Sequence, residues 1–480
     1  MATASNGKSA AIRAKLNHPI VDSDGHWIDY APAFMEYLRE TAGPALIERF
    51  NKSIPFGDTS LMSREVRLDR RYPQPPWWGL TTSTPDRATA MLPRMLYERM
   101  PELGLDFAVL YPSGPGLFAA YFGDEEVRRA SCHAFNKFIA DTFKGLEDRM
   151  TPAAAIPMHT PAEAIAELEH VKSLGLKAVM VASLVRRRVP YVMREMPQAA
   201  RLATWYDMLG MDSEYDYDPF WQKCQELGFS PTFHTGSQGL GFRASVSNWV
   251  YNHVGHFAEA NDALCKALFL GGVTRRFPKL RFAFLEGGVG YGFKLLNDLI
   301  GHFKTRNPDA LKYCNPAGID VEYLVGMFEK YGTDTMKRTL DAETLRVGME
   351  RVGPPEQLNE FAACGAESPE DVCKLFVPSF YFGCEAEDHA NAWAFNTKVT
   401  PGHHRLHPIL GTDIGHFDVT DMSMVLAEAW ELVEDGLITE EDFRDFTFAN
   451  PVNLWAANNP DFFKGTAVER EAAAVSTARR

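Results

Sequence analysis

Asp22-Ser23-Asp24-Gly25-His26 follows Ile20-Val21 near the start of the chain and predicts the end of a first β-strand. Residues two apart on an extended strand point the same way, so we expect Asp24 and His26 to face one point beyond it. A carboxylate and an imidazole that converge in this way are suited to a metal ion. Asp, Ser and Gly also build ordinary turns, so the pentapeptide alone allows either interpretation.

Three later segments repeat the pattern of a short apolar strand that ends in a metal-binding side chain. Residues 230–236 place His234 after such a strand, 280–288 place Glu286, and 408–413 place Asp413. In a barrel of parallel strands the carboxyl ends all meet on one face, which is where active sites lie. The sequence therefore predicts one metal site, with the ligands Asp24, His26, His234, Glu286 and Asp413.

The order of these segments resembles the amidohydrolase superfamily, in particular its amidohydrolase-2 branch, which includes aminocarboxymuconate-semialdehyde decarboxylase and the resorcylate decarboxylases. The resemblance covers residues 18–460. Asp22–His26 matches the family's opening Asp-x-His-x-His motif in the variant that carries a carboxylate for the first His. His234 falls on the fifth-strand His, and Asp413 on the last-strand Asp. The resemblance implies an α/β fold, a distorted (β/α)8 TIM barrel.

Glu286 departs from the family pattern, because many members carry a His at this position. An ionised Glu only accepts hydrogen bonds, whereas a His can donate one. Glu286 therefore acts as a base, is held protonated, or binds the metal itself. Three carboxylates and two His form a ligand set that is richer in oxygen than a structural Zn site, and such a set favours Mn or Fe. The set is able to hold one or two ions. The divalent ion that we expect is Zn, with Mn or Fe as alternatives.

The composition is that of an enzyme with a small-molecule substrate. The chain has 480 residues, of which 45% are hydrophobic, and this is ample for one elaborated barrel. The net charge of −14 argues against nucleic acid or an anionic membrane as a partner. The seven Cys are dispersed without a C-x-x-C pair, which indicates reduced thiols and a cytoplasmic protein. No signal peptide or apolar run long enough to span a bilayer is apparent.

We assign residues 17–464 to the barrel, and 1–16 and 465–480 to flexible tails. Insertions are expected near 50–95, 185–217 and 301–405. Loops after the strands build the pocket in this fold, so we interpret the insertions as an aromatic cap in which Trp77 and Trp78 contact the substrate. The alternative is that they form contacts between subunits. The run Arg186-Arg187-Arg188 either meets a substrate carboxylate or is solvated.

Three other His residues are candidates for the pocket. His253 and His256 lie three apart on a predicted helix and therefore share a face. Either is able to supply the acid that Glu286 does not, and we assign His256 a catalytic role. His416 follows Asp413 by three residues and is assigned to substrate binding.

The function we predict is metal-assisted hydrolysis of a small apolar or aromatic substrate at an amide, ester, lactone or C–C bond. Asp413 acts as general base, and Glu286 orients or relays a proton. Two alternatives stay open: non-oxidative decarboxylation of an aromatic or unsaturated acid, and a scaffold without activity on a decayed barrel. The resemblance also implies a homodimer.

Overall fold

The computed structural model of the chain describes residues 7–53, 62–76, 82–200, 202–313, 318–349 and 358–478. Eight parallel strands form one sheet in the order β1-β2-β3-β4-β7-β8-β9-β10, and β5 and β6 form a separate antiparallel hairpin. The strands are β1 (Val21–Trp27), β2 (Phe107–Pro112), β3 (Met150–Ile156), β4 (Ala178–Val181), β5 (Val185–Arg188), β6 (Thr204–Asp207), β7 (Pro231–Phe233), β8 (Phe282–Phe284), β9 (Phe380–Cys384) and β10 (Pro408–Leu410).

Helices surround the sheet and extend from it. The first twelve are α1 (Lys8–Arg13), α2 (Ala31–Thr41), α3 (Pro44–Ser53), α4 (Arg64–Arg70), α5 (Thr84–Met91), α6 (Pro93–Leu103), α7 (Pro115–Ala119), α8 (Glu125–Thr142), α9 (Pro161–Ser173), α10 (Pro190–Glu195), α11 (Asp218–Leu227) and α12 (Trp249–His253). The next are α13 (His256–Leu270), α14 (Val273–Arg276), α15 (Gly290–Arg306), α16 (Pro308–Leu311), α17 (Val321–Tyr331), α18 (Asp334–Arg338), α19 (Ala342–Met349), α20 (Pro369–Phe376), α21 (Asn391–Phe395), α22 (Val425–Glu434), α23 (Glu440–Arg444), α24 (Asn450–Ala456) and α25 (Glu469–Ala478). In the described part of the chain, none combines the length and the apolar character that a membrane crossing requires.

The barrel strands are buried on both faces, as strands covered by helices on the outside and by side chains within must be. Their composition follows from this burial. The strand β2 reads Phe-Ala-Val-Leu-Tyr-Pro, and β8 reads Phe-Ala-Phe, without the polar alternation of a solvated sheet. The predicted (β/α)8 barrel is confirmed.

The barrel closes where β1 meets the chain just beyond β10, and we call this junction the seam. Backbone hydrogen bonds cross it from His26 N to Ile414 O, at 2.7 Å, and from Asp413 N to Asp24 O, at 3.0 Å. The carboxylate of Asp22 adds two more bonds, because it accepts from Thr412 N at 3.1 Å and from Thr412 Oγ1 at 2.7 Å. The residues predicted to bind metal on the first and last strands thus lie beside the contacts that close the barrel.

The segments 1–16 and 465–480, which we expected to be flexible, each contain a packed helix within the residues that the structure describes, 7–16 and 465–478. In α1 the side chain of Ser9 is fully buried, and its Oγ accepts from the backbone N–H groups of Leu426 and Ala427 at 3.1 and 3.2 Å. In α25 the side chain of Ala472 is buried. These helices cover apolar surface of the barrel, so they belong to the folded unit.

The segment 185–217 contains the hairpin of β5 and β6, and its arginine run is not uniformly solvated. Arg187 is buried and pairs with the buried carboxylate of Asp207, whereas Arg186 and Arg188 on either side are exposed. The Arg187 guanidinium also donates to His159 O at 3.0 Å and to Tyr217 Oη at 2.9 Å. Its donors are therefore engaged in holding the hairpin, and it is not free for a substrate carboxylate.

The interval 301–405 contains a barrel strand as well as inserted helices, so the insertion is shorter than we predicted. The strand β9 pairs with β8 on one side and β10 on the other. The part that extends beyond the barrel lies between α15 and α20 and includes α16 to α19. Within 50–95 the structure describes α4 and α5, while Trp77 and Trp78 lie outside the described residues.

The seam generates a prediction for Asp22. Replacing Asp22 with Ala leaves buried donors of Thr412 and Asp24 without an acceptor, so the free energy of unfolding should fall by about 2–4 kcal/mol. For Asp22→Asn, which keeps a side-chain oxygen in the same place, the free energy of unfolding should fall markedly less. Urea unfolding followed by circular dichroism measures both variants. Equal stability of wild type and Asp22→Ala would show that the seam does not depend on this carboxylate.

Candidate metal centre

A bulge in β1 lies beside two of its polar side chains, Asp24 and His26. The pairing of β1 with β2 shifts register between Asp22 and Gly25. Gly25 is required in this conformation, because a Cβ there would lie 2.6 Å from Asp22 Oδ2 and 2.9 Å from Leu110 Cδ2. Asp24 and His26 flank the glycine, and both side chains are buried.

Four of the five side chains that the sequence suggested form one group at this point, with ligand atoms all within 4.8 Å of one another: Asp24, His26, His234 and Glu286. The fifth, Asp413, contacts this group through His26 and also forms a neighbouring group with His416 and Asp418. The Nε2 atoms of His26 and His234 are 3.3 Å apart, and Glu286 Oε1 lies 3.0 and 2.8 Å from them. Asp413 Oδ1 is 3.2 Å from His26 Nε2, and Asp24 Oδ1 is 3.8 and 3.9 Å from the two Nε2 atoms. Donors bonded at about 2.0–2.2 Å to one ion lie about 3 Å apart. The cluster therefore has the spacing of a ligand set.

The charges of the cluster also fit a cation. Three carboxylates are buried together, and the structure records no Lys or Arg within 4.0 Å of them among the described residues. Asp24 Oδ1 and Asp413 Oδ1 are buried without a hydrogen-bond partner. Burial and the charges of Glu286 and Asp413 hold the pKa of Asp24 well above its usual range. Since an unpaired buried carboxylate is costly, a divalent ion supplies the charge that the cluster lacks.

The two acids at the ends of β8 and β10 share an unusual backbone conformation. Glu286 has φ of +53° and Asp413 has φ of +52°, which places both in the left-handed region that favours glycine. This conformation turns the chain sharply as it leaves each strand. Such strain persists only where the surrounding structure imposes it, and it concentrates at functional sites. The strain therefore indicates that Glu286 and Asp413 belong to a functional site.

Neighbouring side chains fix the ligands from behind. His26 Nδ1 is hydrogen-bonded to Ser113 Oγ at 2.9 Å, which leaves Nε2 to face the cluster. Tyr111 stacks on the His234 ring with centroids 5.5 Å apart, and its hydroxyl donates to Thr232 Oγ1 at 2.8 Å. Asn261 donates to the carbonyl of Leu285, the residue before Glu286, at 2.9 Å.

His416 lies beside the cluster between two carboxylates. Its Nδ1 is 3.1 Å from Asp413 Oδ2 and 3.0 Å from Asp418 Oδ2. Burial lowers the pKa of His416, but the two carboxylates outweigh burial and hold this pKa well above its usual range. The protonated form of His416 is therefore favoured, and His416 contacts the same carboxylate that faces His26.

His253 and His256 belong to an aromatic wall next to the cluster. The rings of the two His are 4.6 Å apart, His253 stacks on Trp249 at 4.1 Å, and His253 and Phe417 are 5.7 Å apart. The His256 ring packs against Gly236, where a Cβ would lie 1.8 Å from His256 Nδ1. Burial lowers the pKa of His256 to about 3, so this ring is neutral and both of its nitrogens are buried without a hydrogen-bond partner.

Glu385 is a residue of this region that the sequence analysis missed. It directly follows β9, and although part of its side chain is exposed, desolvation of its carboxyl group together with the charges of Asp413 and Glu286 raises its pKa to about 8. The signal was present, because Phe380 to Cys384 is an apolar strand followed by an acid, as β8 and β10 are. It was overlooked because the whole interval around it was assigned to an insertion.

The sequence matches a known protein family, and the fold is similar to that of several solved structures. A family model described as Amidohydrolase matches residues 21–316. The structure is similar to that of an amidohydrolase from Mycobacterium avium subsp. paratuberculosis, at 16% identity and a TM-score of 0.55, over 92% of this chain and 100% of that one. It is also similar to IDCase from Metarhizium anisopliae in its apo form, at 13% identity and a TM-score of 0.50, over 92% and 98% of the two chains.

A dihydroxybenzoic acid decarboxylase from a Polaromonas species, solved with manganese and 2-nitroresorcinol, matches at 15% identity and a TM-score of 0.48, over 93% of this chain and 99% of that one. At such identities the solved structures bear on the fold alone. The family model, in contrast, spans more than half of the sequence and includes β1, β7 and β8 with their polar ends. The chain belongs to the amidohydrolase family and is an enzyme of the amidohydrolase superfamily.

Proposed function

We propose that the protein is a metal-dependent hydrolase that acts on a small apolar or aromatic substrate. The observation that carries this proposal is a buried group of two His and two carboxylates, Asp24, His26, His234 and Glu286, whose ligand atoms all lie within 4.8 Å of one another. Asp413 Oδ1 lies 3.2 Å from His26 Nε2, and among the described residues no Lys or Arg lies within 4.0 Å of the three carboxylates. A divalent ion bound there supplies a nucleophilic water at neutral pH and polarises the bond under attack. Membership of the family supports metal dependence as well.

The acid and base roles fall to Asp413 and its partner. Asp413 Oδ1 faces the cluster without a hydrogen-bond partner, so it is placed to accept the proton of the attacking water. Its other oxygen is held by His416, which fixes the orientation of the carboxylate. His416 Nδ1 is engaged by two carboxylates, which leaves Nε2 as the atom that donates a proton to the leaving group.

This assignment changes two roles suggested by the sequence. His256, which we expected to be catalytic, has a pKa lowered to about 3 and therefore carries no proton to give near neutral pH. We therefore assign His256 to the pocket wall, and we assign the role of general acid to His416. Glu286 lies within 3.0 Å of both imidazole Nε2 atoms, so among the three possibilities for this residue we propose metal ligation.

Aromatic rings beside the cluster indicate the kind of substrate. Trp249, His253 and Phe417 lie within stacking distance of one another, and Phe417 also contacts the His416 ring at 4.0 Å. A flat apolar or aromatic group matches such a wall. The roles of Trp77 and Trp78 in substrate binding stay a prediction, because they lie outside the described residues.

The second candidate is non-oxidative decarboxylation of an aromatic or unsaturated acid. One observation favours it: the protonated His416 adjoins the aromatic wall, where it is placed to protonate a ring carbon. Against it, no Lys or Arg in the described part of the chain lies within 4.0 Å of the cluster to hold a substrate carboxylate. A decayed scaffold is disfavoured, because every ligand position still carries a competent side chain.

We propose one zinc ion, with manganese or iron as the alternatives. Asp413, His416 and Asp418 form a neighbouring group whose ligand atoms also lie within 4.8 Å of one another. However, the two carboxylates already hold His416 as a cation, and this positive charge opposes a second ion. We therefore assign the group to proton transfer.

We further infer a homodimer in the cytoplasm. The helices α16, α17 and α18 bury none of their side chains, and Tyr323 and Tyr331 on α17 are 65% and 72% exposed. Exposed aromatic residues on a projecting segment are typical of subunit interfaces. The six described cysteines are all free, as is usual in a reducing compartment.

The metal content tests the site directly. Wild-type protein passed over a mild chelating resin should retain about one equivalent of zinc, manganese or iron by plasma mass spectrometry, and His234→Ala should retain less than a tenth of it because two donors of the set depend on that imidazole. His302→Ala, on the exposed face of α15, is the control and should match wild type. Wild-type protein grown with metals and still metal-free would overturn the proposal.

Turnover distinguishes the two chemistries. Aryl esters, lactones, anilides and aromatic carboxylic acids are assayed side by side, with product and carbon dioxide both measured. We expect hydrolysis, and Asp413→Asn should lower kcat/KM by about 10²–10⁴-fold because the amide no longer accepts a proton. Asp421→Asn, the same change at an exposed carboxylate, is the control. Release of carbon dioxide without any hydrolysis would instead establish the decarboxylase.

The subunit arrangement is tested by light scattering. Wild type should have twice the mass of one chain, and Tyr323→Asp combined with Tyr331→Asp should reduce the mass to that of one chain, since two charges would be placed in the interface. Tyr191→Asp, at a tyrosine of α10 that is 61% exposed, should stay a dimer. A monomeric wild type would refute the inference.

A further inference from the structure

A second cluster of metal-ligating side chains lies outside the barrel, between α8 and α9. It consists of His133 on α8, with Glu167 and His170 on α9. Glu167 and His170 are three residues apart and therefore share one helix face. One ligand atom from each of the three residues lies within 4.8 Å of the others. The cluster shares no residue with the barrel site.

The carboxylate of Glu167 lacks the Arg partner that its neighbour Glu163 has. One turn earlier on α9, the buried Glu163 is neutralised by Arg128, whose Nε and Nη2 lie 3.1 and 2.9 Å from it. Glu167 is 6% exposed, and among the described residues no Lys or Arg lies within 4.0 Å of it. The closest basic atom recorded is His133 Nδ1, at 3.7 Å from Oε2. A buried carboxylate without a cation is a costly arrangement unless a ligand supplies the charge.

The orientation of Glu167 is already set for binding. Its Oε1 accepts from Asn136 Nδ2 at 2.8 Å, and the same amide group bonds to Ala155 O of β3 at 3.0 Å. Oε2 is thereby turned toward His133. A carboxylate fixed by a hydrogen bond through one oxygen, with the other directed at an imidazole, is the usual arrangement behind a metal ligand.

The two imidazoles complete the set. Their rings are stacked, with centroids 3.6 Å apart and planes at 20°, and His170 Nε2 is buried without a hydrogen-bond partner. The His133 side chain is 45% exposed, so it is able to turn its Nδ1 toward an ion shared with the other two residues.

We propose that His133, Glu167 and His170 form a zinc site that links α8 to α9, with water in the remaining coordination position. Two imidazoles and one carboxylate are a set that zinc accepts, at bond lengths of about 2.0–2.2 Å. The ion neutralises Glu167 and joins two adjacent helices of the outer layer.

Zinc titration of the full-length protein tests the site, after the barrel ion has been loaded and excess metal removed. Competition with a chromophoric chelator should show one further equivalent in wild type. This equivalent should disappear, or bind at least tenfold more weakly, in His133→Ala and in His170→Gln, while both variants keep the barrel ion. His404→Ala is the matched control, because His404 lies in another cluster, with Glu370 and Cys373.

A second measurement covers variants that fold poorly. Cobalt added in place of zinc should give wild type a visible ligand-field band from the helical site, and Glu167→Gln, which keeps the contact with Asn136, should weaken that band. Equal zinc stoichiometry in wild type and the His variants, with an unchanged cobalt spectrum, would overturn the proposal. Loss of the extra equivalent only in His404→Ala would place the zinc elsewhere and equally overturn it.

Discussion

The carboxylate of Asp22 holds the seam on which the site depends. It accepts from the backbone and the side chain of Thr412, and so joins the first strand to the residue before Asp413. Burial raises the pKa of Asp22 to about 6, whereas the three hydrogen bonds that it accepts oppose this rise and stabilise the ionised form. The donors of the first and last strands meet only when this junction is formed. Fold and site are therefore stabilised by the same contacts.

The rest of the site contains buried carboxylates whose mutual repulsion destabilises the folded chain locally. Three buried carboxylates repel one another, and two of them leave their strands in a left-handed conformation. Each feature disfavours the folded chain when no ion is bound. The surrounding strands, buried on both faces and packed on aromatic side chains, supply the stability that offsets this cost. Binding of a cation then relieves the repulsion where it is strongest.

Much of this architecture was predictable from local sequence. An apolar strand followed by an acid or a histidine is a short-range pattern, and it led to His234, Glu286 and Asp413 without knowledge of contacts. Longer-range pairings were not visible in the same way. Arg187 lies in a run of three identical residues, and only its contact with Asp207 distinguishes it from its exposed neighbours. Glu385 was missed because inserted helices precede β9 and hid the spacing of the barrel strands.

The seam has a consequence for the order in which the protein is made. Asp22 lies on the first strand of the barrel, and Thr412, 390 positions later, follows the last. A chain emerging from the ribosome displays Asp24 and His26 early, but Asp413 is synthesised only after all the barrel strands. The full ligand set therefore exists only once the last barrel strand has been made. Translation products that stop before this strand lack the set, which confines stable loading of the ion to chains that include it.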